Sequence, residues 1–290
     1  MDIFVQILLN SLETGGIYAL AALGIILIFR TSVTTNFAQG SISMFSAFLA
    51  TIVLIRTGIS PISAAIVGML FALLIGVLVD YFVISRAQRV NPVSKQIITL
   101  GLIMIFLGLA PMLFGTDPLQ FPRFVYGSYS FFGATISYNA IFNIVVGLAL
   151  MGILFFALQK TKWGLSVRAT ASNDVVARMM GIPTAQVTRA SWAIAAALGT
   201  LSALMLAPTN SVNLSMMDTV QVTALLACIL GGFTSFYGAV IAAYLIGFAS
   251  NLLSFYVSSI WSDSILYLLI LTVILFKPTG IFGKKVIKKV

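Results

Sequence analysis

Nine times along its length this chain runs apolar for long enough to cross a lipid bilayer, and that recurrence constrains its fold more than any motif does. A spanning helix needs about 20 largely apolar residues. Such runs lie near Ile3 to Phe29, Asn36 to Ile55, Ile59 to Ile84, Gln96 to Phe114, Asn139 to Leu158, Ala190 to Ala207, Val220 to Phe233, Gly238 to Val257 and Asp263 to Phe276. With 60% hydrophobic and only 8% charged residues, these stretches have lipid and one another as the only places to bury. The expected class is an all-α polytopic membrane protein in which residues 1–290 form a single transmembrane domain. The seventh run is short and ends in Gly231-Gly232, which predicts a broken or tilted helix. The first run is far longer than a signal-peptide core, with no basic residue before Arg30, and reads as a mature first span.

The charges then orient the spans. The formal net charge is +9, but the basic residues sit in short clusters between apolar runs, where they set orientation and leave no nucleic-acid reading. Placing Lys284, Lys285, Lys288 and Lys289 in the cytoplasm puts the N-terminus outside after nine crossings. Arg30, Arg86, Arg89, Lys95 and the whole Lys160 to Arg189 loop then also fall inside, and only Arg56 and Arg123 fall outside. The expected setting is a membrane with the lysine-rich side facing the cytoplasm. The longest outer connection, Gly115 to Tyr138, carries Pro118, Pro122, Arg123 and several aromatics, and suits either an external partner or an interfacial aromatic belt.

A weak internal repeat organises the halves. An offset of 177 positions sets Asn36 opposite Asn213, and Ala47, Ala50 and Ile52 opposite Ala224, Ala227 and Ile229. It carries the first four spans onto the last four with one span between, so the halves have opposite topology; chance similarity between apolar segments is the competing explanation. The division is a first half over 1–138, a connecting span over 139–158, a cytoplasmic loop over 159–189, a second half over 190–277 and a basic tail over 278–290. In inverted repeats the route lies where the halves meet, at interrupted helices. The matching interruptions are Thr34 to Ser41 and Pro208 to Asn213. Ala195, Gly199, Ala203 and Ala207, and likewise Ala239, Ala243 and Gly247, recur every fourth residue as packing faces.

The loop over 159–189 contains one short helix with its own start and stop signals. Ser172 or Asn173 can cap it, Asp174 suits its first turn, Gly181 can end it and Pro183 follows. Val175, Val176, Met179 and Met180 fall on one face, while Asp174 and Arg178 form an i, i+4 pair on another. Ala177 lies between them. A solvated loop has no use for such a face, so the helix either fills another protein's groove, lies among lipid headgroups, or folds against its own bundle.

Few residues offer chemistry. Glu13 lies inside the first span, where an ionisable group is costly, and either faces a water-filled outer vestibule or pairs with a polar neighbour. Asp80 and Asp263 read as interfacial, and Asp218 as a group able to meet solute or a partner. With no histidine, no clustered carboxylates and the single Cys228 in an apolar run, neither a metal site nor acid–base or nucleophilic catalysis can be assembled. Gly280 to Lys285 lacks the spacing and the Ser/Thr of a phosphate loop. No enzyme activity and no cofactor are expected.

Several of these pieces together resemble a known family. Asn36-Phe37-Ala38-Gln39-Gly40 follows a span containing Gly16-Ile17-Tyr18-Ala19-Leu20; then come Trp163-Gly164 through Arg168-Ala169 to Gly181-Ile182, Gly231-Gly232 with Gly238, and Lys277 to Gly283. As a set, in this order and over essentially the whole chain, they resemble the LivH-type permease of branched-chain amino acid ABC importers. The resemblance implies an ABC importer permease fold and a subunit that works with a second homologous permease, ATP-binding cassette subunits and an external solute-binding protein. Its small polar solute would be a branched-chain or related amino acid. It also implies that the loop helix, here Ser172, Asn173, Asp174, Val175, Val176, Ala177, Arg178, Met179, Met180 and Gly181, couples to the ATPase. Leu165 and Ser41 stand where the family often has a basic and an acidic residue, and Glu13 is outside its pattern. Relatives in the wider group carry urea, other amino acids or sugars. The route is expected to draw amides from Asn36, Gln39, Asn210 and Asn213. A self-sufficient carrier or channel also uses inverted repeats, but Glu13 as the one deeply placed charge offers no ion relay. A membrane enzyme lacks catalytic groups.

Overall fold

Each of the nine apolar runs forms a helix in the computed structural model, which describes residues 2–87, 91–131 and 134–283. Arg89 and the tail lysines Lys284, Lys285, Lys288 and Lys289 fall outside the described residues. The first half comprises α1 (Asp2–Ser32), α2 (Gln39–Thr57), α3 (Pro61–Val79) and α4 (Pro92–Phe114). A hairpin of β1 (Ser128–Phe131) and β2 (Ala134–Ser137), which apolar periodicity does not foretell, precedes α5 (Tyr138–Lys160). The loop over 159–189 folds into α6 (Lys162–Ser172) and α7 (Asp174–Met179). The second half follows as α8 (Thr184–Asn210), α9 (Asp218–Gly231), α10 (Phe236–Tyr256) and α11 (Ser262–Phe276).

Local chemistry explains the boundaries. The Ser60 hydroxyl accepts from the Ser63 amide at 3.2 Å, and Pro61 supplies a first helical residue whose missing N–H costs nothing there. The Ser137 and Ser235 hydroxyls cap α5 and α10 in the same way, each three residues from its donor. Gly232, at φ +84°, turns the chain sharply out of α9. The Gly231-Gly232 pair therefore ends a short helix of 14 residues rather than breaking a long one.

Packing follows an inverted repeat. α1 lies along α10 as α8 lies along α3; α2 touches α8 as α9 touches α1; α1 and α8 cross at the centre. Small residues permit the close approaches. A Cβ on Gly247 would stand 2.8 Å from the Gly15 nitrogen, and one on Gly76 would stand 2.5 Å from the Trp192 carbonyl oxygen. Lipid gives helices no hydrophobic reason to associate, so such backbone contact, made by packing and dispersion, holds the bundle. The two central helices are the most enclosed: 83% of the most apolar stretch of α8 and 72% of that of α1 are buried, against 22% in α4 and 28% in α5.

The matching interruptions share a backbone solution. α1 ends at Val33, with φ +52°, and α8 ends at Ser211, with φ +53°; among the described residues these are the two non-glycine positions of positive φ. Three residues later the Asn36 Oδ1 accepts from the Ala38 amide at 3.0 Å, and two residues after Ser211 the Asn213 Oδ1 accepts from the Ser215 amide at 3.0 Å. Each asparagine thus closes an Asx turn that aims the chain back into the membrane.

The helix ends carry unequal charge. Arg30, Lys95, Arg168, Arg178 and Arg189 gather at one end, with Lys160 and Lys162, and Arg56 and Arg123 lie at the other; the basic end is the one that the positive-inside rule assigns to the cytoplasm and is called the cytoplasmic end below. One expectation fails there. Asp80 is not interfacial but fully buried: α3 continues through a π-helical turn, Asp80–Ile84, that carries this carboxylate inward. It accepts from the Ser85 hydroxyl at 3.0 Å and stands 3.7 Å from Nε of Arg189. A buried carboxylate persists only with such partners, and α8 supplies the cation.

Candidate functional site

The inner interruption is sealed by hydrogen bonds with the opposite half. The Gln39 Nε2 donates to the Ala195 carbonyl at 2.8 Å, in a slot that exists because Gly24 and Gly199 have no side chains. A Cβ on Gly24 would fall 2.1 Å from that nitrogen. Gly24 lies eight residues before the end of α1 at Ser32, so α2 begins about 12 Å inside the bundle. Gln221, in the first turn of α9, completes the seal. Its Oε1 accepts from the Gly40 amide at 2.8 Å, and its Nε2 donates to the Asn36 carbonyl at 3.2 Å. The beginnings of α2 and α9 therefore meet within the bundle, and the Gln221 side chain of α9 satisfies backbone groups at the start of α2.

On the outer side of that junction lies a cavity of about 780 Å³. α1 contributes Glu13 and Tyr18, the α8 end Asn210, the outer interruption Asn213, and the later helices Thr219 and Asp263. The Glu13 carboxylate accepts from Nδ2 of the buried Asn143 at 2.7 Å, so the vestibule and the pairing expectations for Glu13 both hold. Asp263 lines the cavity rather than lying apart at an interface, and Asp218 is exposed without lining it. The wall offers amides, hydroxyls and two carboxylates, with no lysine or arginine among its lining residues. It can hydrogen-bond a small polar solute and favours an ammonium over a carboxylate.

The four predicted route residues fall into two places. Asn210 and Asn213 line the cavity together, the Asn213 Nδ2 donating to the Asn210 carbonyl at 3.2 Å. Asn36 and Gln39 are both 1% exposed and belong to the sealed junction beneath it. The first turn of α9 joins the two, because Thr219 and Val220 face the cavity while Gln221 holds the junction. Gln221 was not singled out from sequence. Its signal was a neutral amide within an apolar run, a pattern shared by many residues that merely bond their own helix. Outside, Leu119 and Val212 exchange two backbone hydrogen bonds, of 2.9 and 2.8 Å, which fasten the outer connection to the loop before α9.

At the cytoplasmic end the helix read from its caps is present. Asn173, not Ser172, is the N-cap; its Oδ1 accepts from the Val176 amide at 3.1 Å. At the other end the Ile182 amide donates to the Ala177 carbonyl and the Gly181 amide to the Arg178 carbonyl, both at 3.0 Å, with Gly181 at φ +79°. That pair of bonds is a Schellman motif, which glycine accommodates without strain. Arg178 pairs with Asp174 at 2.8 Å and donates to the Thr184 hydroxyl at 2.8 Å, tying α7 to the start of α8. Ala177 is the buried anchor, whereas Met179 and Met180 are 80% and 76% exposed beside exposed Val175 and Val176. Behind the helix a cavity of about 420 Å³, lined by Asp80, Lys95 and Thr188, leaves room for movement.

Among the described residues no group of three or more Asp, Glu, His or Cys side chains is placed to hold a metal ion.

Comparison with known proteins bears on this arrangement. Residues 7–275 match the family model described as branched-chain amino acid transport system / permease component. The chain is 28% identical over 302 residues to the high-affinity branched-chain amino acid transport system permease protein BraD of Pseudomonas aeruginosa, covering 99% of this chain and 98% of BraD. It is 27% identical over 305 residues to the permease protein LivH of the corresponding Escherichia coli K12 system, with the same coverage. Among solved structures, PsaBC from Streptococcus pneumoniae in complex with Fab superposes with a TM-score of 0.50 over 92% of this chain and 89% of that one, at 14% identity, which is a likeness of fold.

Proposed function

This chain belongs to the branched-chain amino acid transport permease family, and on that premise we propose that it is the membrane permease subunit of a binding-protein-dependent ABC importer. Its solute is a branched-chain or related amino acid, the class named for the BraD and LivH relatives. It works as one transmembrane domain of two halves, 1–138 and 190–277, joined by 139–158 and 159–189. A second permease subunit, ATP-binding cassette subunits and an external solute-binding protein complete the machine. The chain itself makes and breaks no bond; ATP is hydrolysed by the partners.

The observation that supports this reading is the pair formed by a sealed junction and an exposed apolar knob at the basic end, tied to α8. α7 presents Val175, Val176, Met179 and Met180 outward, and it is fastened through Arg178 and Thr184 to α8, which runs to the outer cavity. Met suits a contact that has to survive movement. Closure of the ATPase pair pushes α7 toward the space behind it, α8 tilts, and the bonds of Gln221 to Gly40 and Asn36 part. Solute held among Asn210, Asn213 and the carboxylates of the outer cavity then passes Asn36 and Gln39 toward the cytoplasm. These contacts are weak and several, so the solute can leave.

Pull-down from native membranes tests the reading, with and without Val176→Glu and Met179→Glu. The intact protein is expected to bring an ATPase with it, and the double variant to lose that ATPase while remaining folded. Absence of any ATPase with the intact protein in mild detergent, combined with gradient-driven uptake by the purified chain alone, would establish a self-sufficient carrier instead.

A further inference from the structure

A second polar site lies at the cytoplasmic end, on the side of the bundle away from the outer cavity. Between the ends of α1 and α5, the middle of α6 and the turn joining α9 to α10 there is a groove of about 470 Å³. Two guanidiniums, Arg30 and Arg168, stand in its wall with Phe155, Phe236 and Tyr237, and no carboxylate is among its lining residues. Arg30 donates through Nη1 to the Thr234 carbonyl and lies 5.4 Å from the centre of the Phe236 ring. Arg168 donates through Nη1 to the Leu158 carbonyl at 2.6 Å and to the Gln159 carbonyl at 3.3 Å. Each arginine thus spends one nitrogen on backbone carbonyls, and a guanidinium carries five N–H donors. Lys160 and Lys162, both exposed, add charge at the α5–α6 junction.

The surroundings of the groove select among anions. Phe155 stacks on Tyr237 at 4.4 Å, 3° from parallel, and the two helices that carry this pair, α5 and α10, also expose Ile153, Phe156, Ile241 and Leu245, 44% to 66% exposed. A soluble phosphate has no use for that apolar surface. A phosphate that brings acyl chains uses both parts, and basic pockets between helix ends on the cytoplasmic side are suited to such headgroups. We propose that this groove binds the phosphate of an anionic phospholipid of the cytoplasmic leaflet, with its acyl chains along α5 and α10. The lipid bridges Arg30 on α1 and Arg168 on α6. Since α6 leads directly into α7, the lipid steadies the arm that carries the knob; that last consequence rests on the function proposed above, whereas the lipid site does not.

The experiment uses the protein purified in mild detergent with whatever subunits accompany it, exchanged into nanodiscs of phosphatidylcholine with or without phosphatidylglycerol. Native mass spectrometry is expected to find phosphatidylglycerol retained in preference to phosphatidylcholine. The Arg30→Gln, Arg168→Gln variant is expected to lower that preference about thirtyfold, the loss two cations near a lipid surface give. Arg30→Lys, Arg168→Lys keeps the charge and most of the preference. If the glutamine variant does not fold, Tyr237→Trp decides independently, through stronger quenching by brominated phosphatidylglycerol than by brominated phosphatidylcholine. Equal retention or equal quenching by the two lipids overturns the proposal, as does release of the lipid by inorganic phosphate. Transport is not read at any point, so failure of the lipid site and failure of the importer reading are separable.

Discussion

The two interruptions of the bundle use one backbone solution in two environments. After α1 the chain passes Val33 at positive φ, turns on Asn36 and enters α2; after α8 it passes Ser211 at positive φ, turns on Asn213 and enters α9. Yet Asn36 is 1% exposed and wrapped by the opposite half, whereas Asn210 and Asn213 stand on the wall of an aqueous cavity. The same turn lies once inside a closed junction and once on a cavity wall. What differs is the neighbour: Gln221 reaches across to satisfy the inner turn, while water can reach the outer one. A repeat in sequence therefore specifies a repeated shape, and function comes from breaking its symmetry.

Substitutions can break or sharpen that contrast. The largest effect is expected from Gly24→Val, which drives a side chain into the Gln39 amide and the Ala195 carbonyl beside it. Overpacking of this kind costs about 1–3 kcal/mol or more. Detergent-solubilised protein should show a strongly lowered unfolding midpoint and little uptake, while Asn210→Leu at the outer cavity should leave the midpoint near that of the unaltered chain. Equal losses for both would show that the inner unit is no more tightly built than the outer.

Gln221→Leu comes next. It leaves the Gly40 amide and the Asn36 carbonyl without their partner, and each unsatisfied buried group costs about 1–3 kcal/mol. The midpoint should fall, and solute should leak through the assembled importer without ATP, measured as passive flux into vesicles. A tight but destabilised junction would mean that Gln221 is structural and that something else forms the seal.

The smallest effect compares the asparagines directly. Asn36→Ala strands the buried Ala38 amide, whereas Asn213→Ala exposes the Ser215 amide to solvent. The first should cost about 1–2 kcal/mol and the second under about 0.5 kcal/mol, read as the difference in unfolding midpoints. In uptake assays the order should reverse in kind: Asn213→Ala should raise the apparent KM for solute while Asn36→Ala lowers the amount of active protein.

Much of the architecture was legible in the chain. The nine apolar helices, seven of them long enough to cross a bilayer, the basic end of the bundle, the four-residue small spacings and the cap residues of α7 each follow from interactions within a few turns of one helix. The site was legible only in part. Asn210 and Asn213 could be placed on the outer side from their position after Pro208, but nothing local distinguished them from Asn36 and Gln39, which carry the same amides at the matching interruption. Asp80 misled for a related reason. A carboxylate near the end of an apolar run ordinarily faces headgroups, and only the π-helical turn at Asp80–Ile84 rotates it inward to Arg189, 109 positions away. The hairpin β1–β2 is equally silent, because four-residue strands carry too short a pattern to separate from a loop.

What the sequence determined by itself is where the nine apolar helices lie, which end of the bundle carries the basic residues, and where α7 starts and stops. Those depend on summed hydrophobicity over about 20 residues, on charge between spans and on caps that act at three or four residues' distance. What only the tertiary structure decided is which polar group meets which: Gln39 with Ala195, Gln221 with Gly40 and Asn36, Glu13 with Asn143, Leu119 with Val212. In an apolar bundle a buried polar group without a partner is costly, so most of them are required to find one. That requirement does not specify which partner, and the choice is made by helices more than 90 positions apart coming into contact through glycine and alanine.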